Sequence, residues 1–167
     1  GSLHPFSSAM EGFFFASTYE TRFADGLHLY RRLFAAAKRM GADKVVFHGD
    51  HRANPAGVET EKYAQGFNVL AKEALEYGLR LCHENVVYCR LGAPAAVEAV
   101  RPLMGENAAF VLDLKQLRRD GSTLTQMMSA MGRDIRLLHI SDCSDHHDCI
   151  PPGLGRFDFA DLIERLY

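Results

Sequence analysis

Apolar and polar positions follow two recurring patterns along this chain. Residues 25–40, DGLHLYRRLFAAAKRM, place apolar side chains at the spacing of an amphipathic helix, and Gly41 follows as a C-terminal stop. The next segment, DKVVFHGD at 43–50, is a short apolar run that ends in polar residues, as a buried strand does. Helical spacing then returns from about residue 58 to residue 77. The pattern predicts a strand followed by a helix.

The same alternation continues to the end of the chain. Three more apolar runs, LRLCHEN, AAFVLDL and IRLLHISD, precede predicted helices at about 93–103, at about 123–131 and from about Phe157 onward. A further short strand is predicted around LHPF near the N-terminus. Parallel strands need a crossover connection, and a single helix is the usual one. The sequence therefore predicts an α/β fold with parallel strands and no internal domain boundary.

The spacing between strands suits two architectures. From Val45 to Leu79, Phe110 and Leu137 the offsets are 34, 31 and 27 residues. One βα unit occupies about this length both in a (β/α)8 barrel and in an open doubly wound sheet, so spacing alone leaves both open. A full barrel needs about 250 residues, whereas this chain has 167. A barrel would therefore be present only in part, as about four to five βα units.

Four strands end in residues that can bind a metal ion. His48, Glu84, Asp113 and His139 each come directly after an apolar run, at the carboxyl end of the strand, where parallel α/β folds gather their sites. A lone polar residue there is usually a cap or a strand end, but four together favour a shared site. Their oxygen and nitrogen donors suit Mn²⁺, Mg²⁺, Co²⁺ or Zn²⁺. His83, one step out of phase, is expected to face the outer layer and to be structural.

Composition and charge narrow the functional classes. A net charge of -2 and a pI near 6.5 give no basic surface for a nucleic-acid backbone, so nucleic acid is not an expected partner. No apolar run approaches the ~18 residues of a membrane span, and the first residues lack a signal-peptide pattern. We therefore expect a cytoplasmic protein without a membrane partner. The four irregularly spaced cysteines indicate free thiols.

The strand ends also carry a family resemblance. HGD at 48–50, HENV at 83–86, VLDLKQL at 111–117 and LLHISDCSDHHDCIPPGLGRFDF at 137–159 resemble the xylose isomerase-like TIM-barrel family of sugar isomerases, epimerases and endonuclease IV relatives. The last string is the most specific, and the order and spacing match almost the whole chain. The resemblance implies one parallel (β/α)8 TIM-barrel domain over residues 1–167, lacking the first strands and the last strand.

The resemblance further implies a metal site and a reaction. The family holds a divalent metal ion with a Glu, an Asp, a His and a final Glu, which assigns Glu84, Asp113 and His139 here and leaves the final ligand without a counterpart. Glu84 would also be the catalytic residue, moving a proton beside a carbonyl through an enediolate that the cation stabilises. The implied partner is a sugar or sugar phosphate.

Further residues are expected to bind the substrate. His48 is expected to line the pocket rather than to bind metal. Gln116 stands where the family tends to have a histidine, and it can hydrogen-bond but cannot carry a proton as imidazole does. His146 and His147 are expected to contact a sugar hydroxyl or phosphate, with a solvated loop as the alternative. Asp142 is placed with them, and it either hydrogen-bonds a metal ligand or caps the following turn.

Three functional classes remain open at this point. A metal-dependent sugar isomerase or epimerase is favoured by the Glu, Asp and His pattern. An abasic-site endonuclease-like metal hydrolase would need more histidines and a basic surface, and neither is evident in the sequence. A non-catalytic barrel remnant is the third class, because the last ligand glutamate is missing. Since exposed sheet edges favour pairing, we expect either a parent polypeptide that continues past Tyr167 or a homo-oligomer.

Overall fold

Parallel strands and their crossover helices make up the fold. The computed structural model describes residues 1–54 and 57–166, apart from the side chains of Ser7 and Ser8. The strands are β1 (Ser2–Leu3), β2 (Lys44–Phe47), β3 (Arg80–Glu84), β4 (Phe110–Asp113) and β5 (Ile135–His139). The helices are α1 (Glu11–Phe15), α2 (Glu20–Arg39), α3 (Thr60–Glu76), α4 (Pro94–Met104), α5 (Leu114–Asp120), α6 (Leu124–Met131) and α7 (Phe159–Leu166). Over these ranges, no helix has the length and apolar character needed to cross a membrane.

The five strands form one sheet in sequential order. Each strand pairs in parallel with the next along the chain, and the register places Val45 opposite Leu81 and Asp113 opposite His139. This order is that of a barrel wall, since a doubly wound sheet reverses its strand order at a switch point. The prediction of a partial TIM barrel is confirmed, and the open-sheet alternative does not apply.

A small apolar cluster occupies the face of the sheet that the helices do not cover. Val46, Cys82, Ala109 and Val111 are buried in it, and Leu137 packs against them. Side chains alternate between the two faces along a strand. The residues two positions later on β3, β4 and β5 therefore share this inner face, and they are the three predicted metal ligands.

The larger core lies between the sheet and the helices. It includes Phe34, Phe47, Phe67 and Leu112. His83 belongs to this layer, because its ring centroid lies 5.3 Å from that of Phe47 and 5.8 Å from that of Phe67. The expectation that His83 is structural and faces the outer layer is therefore confirmed.

Two helices were not predicted from the sequence. In α1 the run of three phenylalanines at 13–15 has no helical period. α5 has only seven residues and follows β4 directly, so its helical period is too short to be recognised in the sequence. The Asp113 carboxylate accepts a hydrogen bond from the Gln116 N–H at 2.8 Å and caps α5. The helix ends at Gly121, whose φ of 80° suits a residue without a Cβ.

The four cysteines are free thiols, as expected, and they differ in accessibility. Cys82 and Cys89 are buried, Cys143 is half-buried and Cys149 is exposed. Burial raises the pKa of Cys82 to about 11 and that of Cys89 to about 12. Since the thiolate is the reactive form, the buried pair should be inert in the native protein.

We therefore predict that iodoacetamide at about pH 8 modifies Cys149 first, Cys143 more slowly and neither buried cysteine. Mass spectrometry after a timed quench would measure each site. In concentrated urea all four should react at similar rates, which provides the control. Native labelling of Cys82 as fast as that of Cys149 would contradict the packing described above.

Candidate metal and substrate site

The carboxyl ends of β3, β4 and β5 bring together the three residues predicted to bind metal. Oε1 of Glu84 lies 3.3 Å from Nδ1 of His139, and the same Nδ1 lies 3.4 Å from Oδ2 of Asp113. One donor atom from each residue falls within 4.8 Å of the other two. Glu84 and Asp113 are buried, and His139 is half-buried. The side chains thus converge on one point of the inner face.

Two histidines approach the other oxygen of Glu84. Nε2 of His48 lies 3.0 Å from Oε2, and Nε2 of His4 lies 3.5 Å from it. The two histidine nitrogens are 2.9 Å apart, and with Glu84 they form a second group of closely spaced donors. His48 was expected from the sequence. His4 was missed, because it follows a strand of only two residues and carries no periodic signal.

The electrostatics of the cluster centre on Glu84. Burial alone would raise the pKa of Glu84, but its contacts with His139, His4 and His48 hold that pKa well below its usual range. In return, Asp113 and Glu84 raise the pKa of His139 to about 9, and Glu84 raises that of His4. The cluster therefore holds an ionised Glu84 carboxylate against a positively charged His139 imidazole.

These residues fit a divalent cation. Oε2 of Glu84 stands out among the described buried side-chain atoms because it accepts no hydrogen bond, although two imidazole nitrogens lie within ion-pair distance. An oxygen that faces imidazole nitrogens without a well-directed hydrogen bond has lone pairs available to a metal ion. Carboxylate oxygens and imidazole nitrogens without a thiolate suit Mn²⁺, Mg²⁺, Co²⁺ or Zn²⁺. A cation would compete with the proton on His139.

Buried polar contacts fix the strand ends behind the cluster. The Asp113 N–H donates to Oδ1 of Asn85 at 2.7 Å, and Nδ2 of Asn85 donates to the Asp113 carbonyl at 3.2 Å. Burial lowers the pKa of His83 to about 3, so its ring is neutral at neutral pH. Its Nδ1 can then donate to the Glu84 carbonyl at 3.1 Å while Nε2 accepts from the Tyr63 hydroxyl at 2.6 Å. These contacts join β3, β4 and α3.

Gln116 lies buried behind Asp113 at the start of α5. Its side-chain oxygen accepts a hydrogen bond from the Val87 N–H at 3.1 Å, and so it holds the loop after β3. The structure gives Gln116 this supporting contact. Its contact with a substrate remains a prediction.

Asp142 holds the loop that follows β5. Its carboxylate accepts four backbone N–H bonds of 2.8 to 2.9 Å, from Cys143, Gly153, Gly155 and Phe157. A Cβ on Gly155 would lie 2.2 Å from the Cys143 carbonyl oxygen, so the close approach requires glycine. Of the two roles considered for Asp142, the structure supports the turn cap. Its contact with a substrate remains a prediction.

His146 and His147 lie exposed in the same loop. Their backbone N–H groups both donate to Oγ of Ser144, at 3.3 and 3.2 Å. Within the described ranges, neither histidine belongs to a group of metal-type donors. The solvated-loop alternative describes their present position, and a substrate contact remains a prediction.

Glu11 is a further buried carboxylate near the site, and no sequence pattern predicted it. Its Oε2 accepts hydrogen bonds from the N–H groups of His48 at 2.6 Å and Gly49 at 2.7 Å, and its Oε1 accepts one from the Tyr30 hydroxyl. Burial raises the pKa of Glu11 to about 7. Glu11 thus fixes the backbone from which His48 reaches Glu84.

Comparisons with known proteins agree with this fold. A family model described as xylose isomerase-like TIM barrel matches residues 2–167. The solved structure of an L-ribulose 3-epimerase matches with a TM-score of 0.73 at 17% identity, over 99% of this chain and 56% of that one. An IOLI protein with a binding zinc atom matches with a TM-score of 0.70 at 22% identity, over 92% and 59%. At these identities the likeness shows the fold alone.

Another solved structure of this fold is named for a different reaction. A probable 3-DHS dehydratase, AsbF of Bacillus anthracis, matches with a TM-score of 0.73 at 10% identity, over 98% of this chain and 64% of that one. The present chain thus spans less than two thirds of the length of these solved structures. The search of curated protein sequences gave no match.

The position of Glu11 leads to a prediction about stability. Glu11→Ala should lower the free energy of unfolding by about 3 kcal/mol or more, because two N–H groups and a buried hydroxyl lose their acceptor. Glu11→Gln keeps the shape and an acceptor oxygen, so it should cost less. The folded-state pKa of about 7 lies above the ordinary 4.5. The contribution of Glu11 to the free energy of unfolding is therefore lost as pH rises through about 7. The Glu11→Gln variant does not show this loss.

Urea unfolding followed by circular dichroism, at several pH values from about 5 to about 8, would measure both effects. The stability of Glu11→Gln relative to the native chain should increase as pH rises over this interval. A relative stability that stays constant, or an Ala variant as stable as the Gln variant, would contradict the assignment.

Proposed function

The chain belongs to the xylose isomerase-like TIM barrel family, and we propose on this basis that it forms the metal-binding part of a sugar or sugar-phosphate isomerase or epimerase. The observation that carries the proposal is the buried Glu84 carboxylate. Nδ1 of His139 lies 3.3 Å from one of its oxygens and 3.4 Å from Oδ2 of Asp113, and its other oxygen makes no hydrogen bond of good geometry within the described chain. Solved structures of this fold include a D-psicose 3-epimerase in the presence of D-fructose, which supports a sugar as the substrate.

Each residue of the cluster has a role in this proposal. Glu84, Asp113 and His139 would hold a divalent cation, which when bound acts as a Lewis acid on a carbonyl oxygen. Glu84 is an ionised carboxylate, so it has an oxygen that can accept the proton from the carbon beside the carbonyl, while Asp113 orients His139.

His48 is suited to contact the substrate in this scheme. Its side chain is 15% exposed, and Nε2 lies 3.0 Å from Oε2 of Glu84. It can donate a hydrogen bond to a sugar hydroxyl next to the carbon that loses its proton. His48 would thus fix which hydroxyl-bearing carbon faces the base.

A metal hydrolase of the abasic-site endonuclease type is the second candidate. The sequence offered too few aligned histidines for a site with several metals, but the structure adds His4 and His48 beside Glu84. Two cations that shared the Glu84 carboxylate could activate water and stabilise a leaving oxygen. The net charge of -2 does not favour a DNA backbone as the ligand.

The role of Glu84 can be tested by metal binding. Titration calorimetry with Mn²⁺ should give one site per chain, and Glu84→Gln should weaken binding at least about tenfold, since even residues that only support ligands cost that much. Glu98→Gln, an exposed change on α4, is the control and should bind as the native chain does. Two equivalents of Mn²⁺ would favour the hydrolase candidate. Equal binding by Glu84→Gln would remove Glu84 from the site.

In a complete enzyme, Glu84→Gln should abolish epimerisation while circular dichroism shows an unchanged fold, because glutamine keeps the shape and loses the base. The measurement is deuterium incorporation from D₂O at the carbon beside the substrate carbonyl, followed by NMR. Exchange at the native rate in the variant would exclude Glu84 as the proton acceptor.

The open sheet edges support a proposal about assembly. Within the described chain, β1 and β5 each have one unpaired edge, and Ile140 beyond β5 is 51% exposed. Exposed edges of this kind favour pairing with another chain. We propose that these edges are covered either by further strands of a longer polypeptide or by a second copy of the chain. In the second case light scattering should give a mass about twice the 18.6 kDa of one chain. A monomer of 18.6 kDa with a cooperative thermal transition would contradict both.

A further inference from the structure

A cleft of about 620 Å³ opens beside the Glu84 site. It lies between α1, the start of α2 and the loop that follows β2, and its lining includes Phe13, Ser17, Arg22, His48 and Tyr88. His48 also contacts Oε2 of Glu84, so the cleft continues from the proposed reaction site. Its volume falls in the range of about 300–1,000 Å³ typical of ligand pockets.

Arg22 is held in this cleft by aromatic rings rather than by a carboxylate. Its guanidinium carbon lies 4.3 Å from the centre of the Phe13 ring and 4.7 Å from that of Tyr19. Nη1 donates a hydrogen bond of 3.4 Å to Oγ of Ser17. Over residues 1–54 and 57–166, no ion pair joins Arg22 to an acid. The guanidinium is thus oriented while most of its donors remain available.

The carboxylate that lines the cleft already has polar and charged partners. Asp50 lines the cleft, and its Oδ1 accepts from Nδ2 of Asn54 at 2.8 Å. Its Oδ2 lies 3.4 Å from Nη2 of Arg90. Among the residues that the structure describes, the cleft therefore contains a carboxylate that already has partners and an arginine without an acidic partner. A half-buried cation in this position is best satisfied by an anion.

We propose that Arg22 binds an anionic group of the substrate, a phosphate or a carboxylate, at the opposite end from the carbonyl that lies at Glu84. The position of the carbonyl rests on the proposed function. The planar guanidinium offers paired donors that match the oxygens of either group. The substrate class is therefore a sugar phosphate or a sugar acid, and neutral sugars are disfavoured.

The test compares anionic and neutral probes on the 167-residue chain. Titration calorimetry with D-fructose 6-phosphate, D-glucuronate, inorganic phosphate and D-fructose is done with EDTA present, so that no cation joins probe and protein. At least one anionic sugar should bind about tenfold more tightly than D-fructose. Arg22→Gln should weaken that binding about 10- to 100-fold, and Arg22→Lys by less, since lysine keeps the charge and loses the paired donors.

Arg32→Gln is the matched control, since Arg32 is exposed on the same helix, and it should bind the probes as the native chain does. A preference for D-fructose 6-phosphate alone identifies phosphate as the ligand group, and one for D-glucuronate alone identifies a carboxylate; both support the proposal. Equal binding of neutral and anionic sugars would overturn it. Anion binding that persists in Arg22→Gln would also overturn it, because the anion would then lie elsewhere.

Mn²⁺ titrations of the same variants without EDTA separate this proposal from the proposed function. If Mn²⁺ fails to bind while the Arg22-dependent preference persists, the metal-dependent isomerase is excluded and the anion subsite stands. If Mn²⁺ binds through Glu84 while no such preference exists, only the anion subsite is excluded. If Arg22→Gln lowers the thermal midpoint, its anion binding is not used, and the comparison of Arg22→Lys with the native chain tests the proposal. Lysine keeps a cation over the Phe13 ring.

Discussion

The buried carboxylate of Glu84 is the constraint around which this structure is organised. A charge removed from water needs close polar or charged partners, and here these are the imidazoles of His139, His48 and His4. The partners follow three other strands of the sheet. A parallel sheet in sequential order is the architecture that brings these strand ends to one place. The fold therefore brings together the partners that the Glu84 carboxylate requires, and this buried carboxylate identifies the site.

Support for this arrangement comes from polar contacts that lie behind the strand ends. His83 links the Glu84 carbonyl to Tyr63 on α3, Asn85 exchanges two hydrogen bonds with Asp113, and Glu11 holds the backbone at His48. Each of these contacts is buried or half-buried. Because unmade buried hydrogen bonds cost more than made ones gain, they fix the geometry of the donors more strongly than apolar packing would. The site is thus positioned before any ligand arrives.

The two sides of the site differ in open space and in charge. Beyond β2 the chain leaves a cleft that carries Arg22, which forms no ion pair with an acid in the described part of the chain. Beyond β5 a loop folds over the Asp142 carboxylate, which uses its oxygens on four backbone N–H groups. The space and the uncompensated charge lie on the β2 side, so a substrate with its carbonyl at Glu84 would extend in that direction.

Local sequence pattern was sufficient for much of this protein. Strand positions and the residues that close them, Glu84, Asp113 and His139, follow from short apolar runs and a period of two, which depend only on neighbouring residues. The family motifs at the strand ends added the prediction of a TIM barrel. Local pattern was not sufficient for His4 and Glu11, because their roles arise from contacts across distant parts of the chain, 37 residues in the case of Glu11 and His48. Such contacts exist only once the sheet has brought its strand ends together.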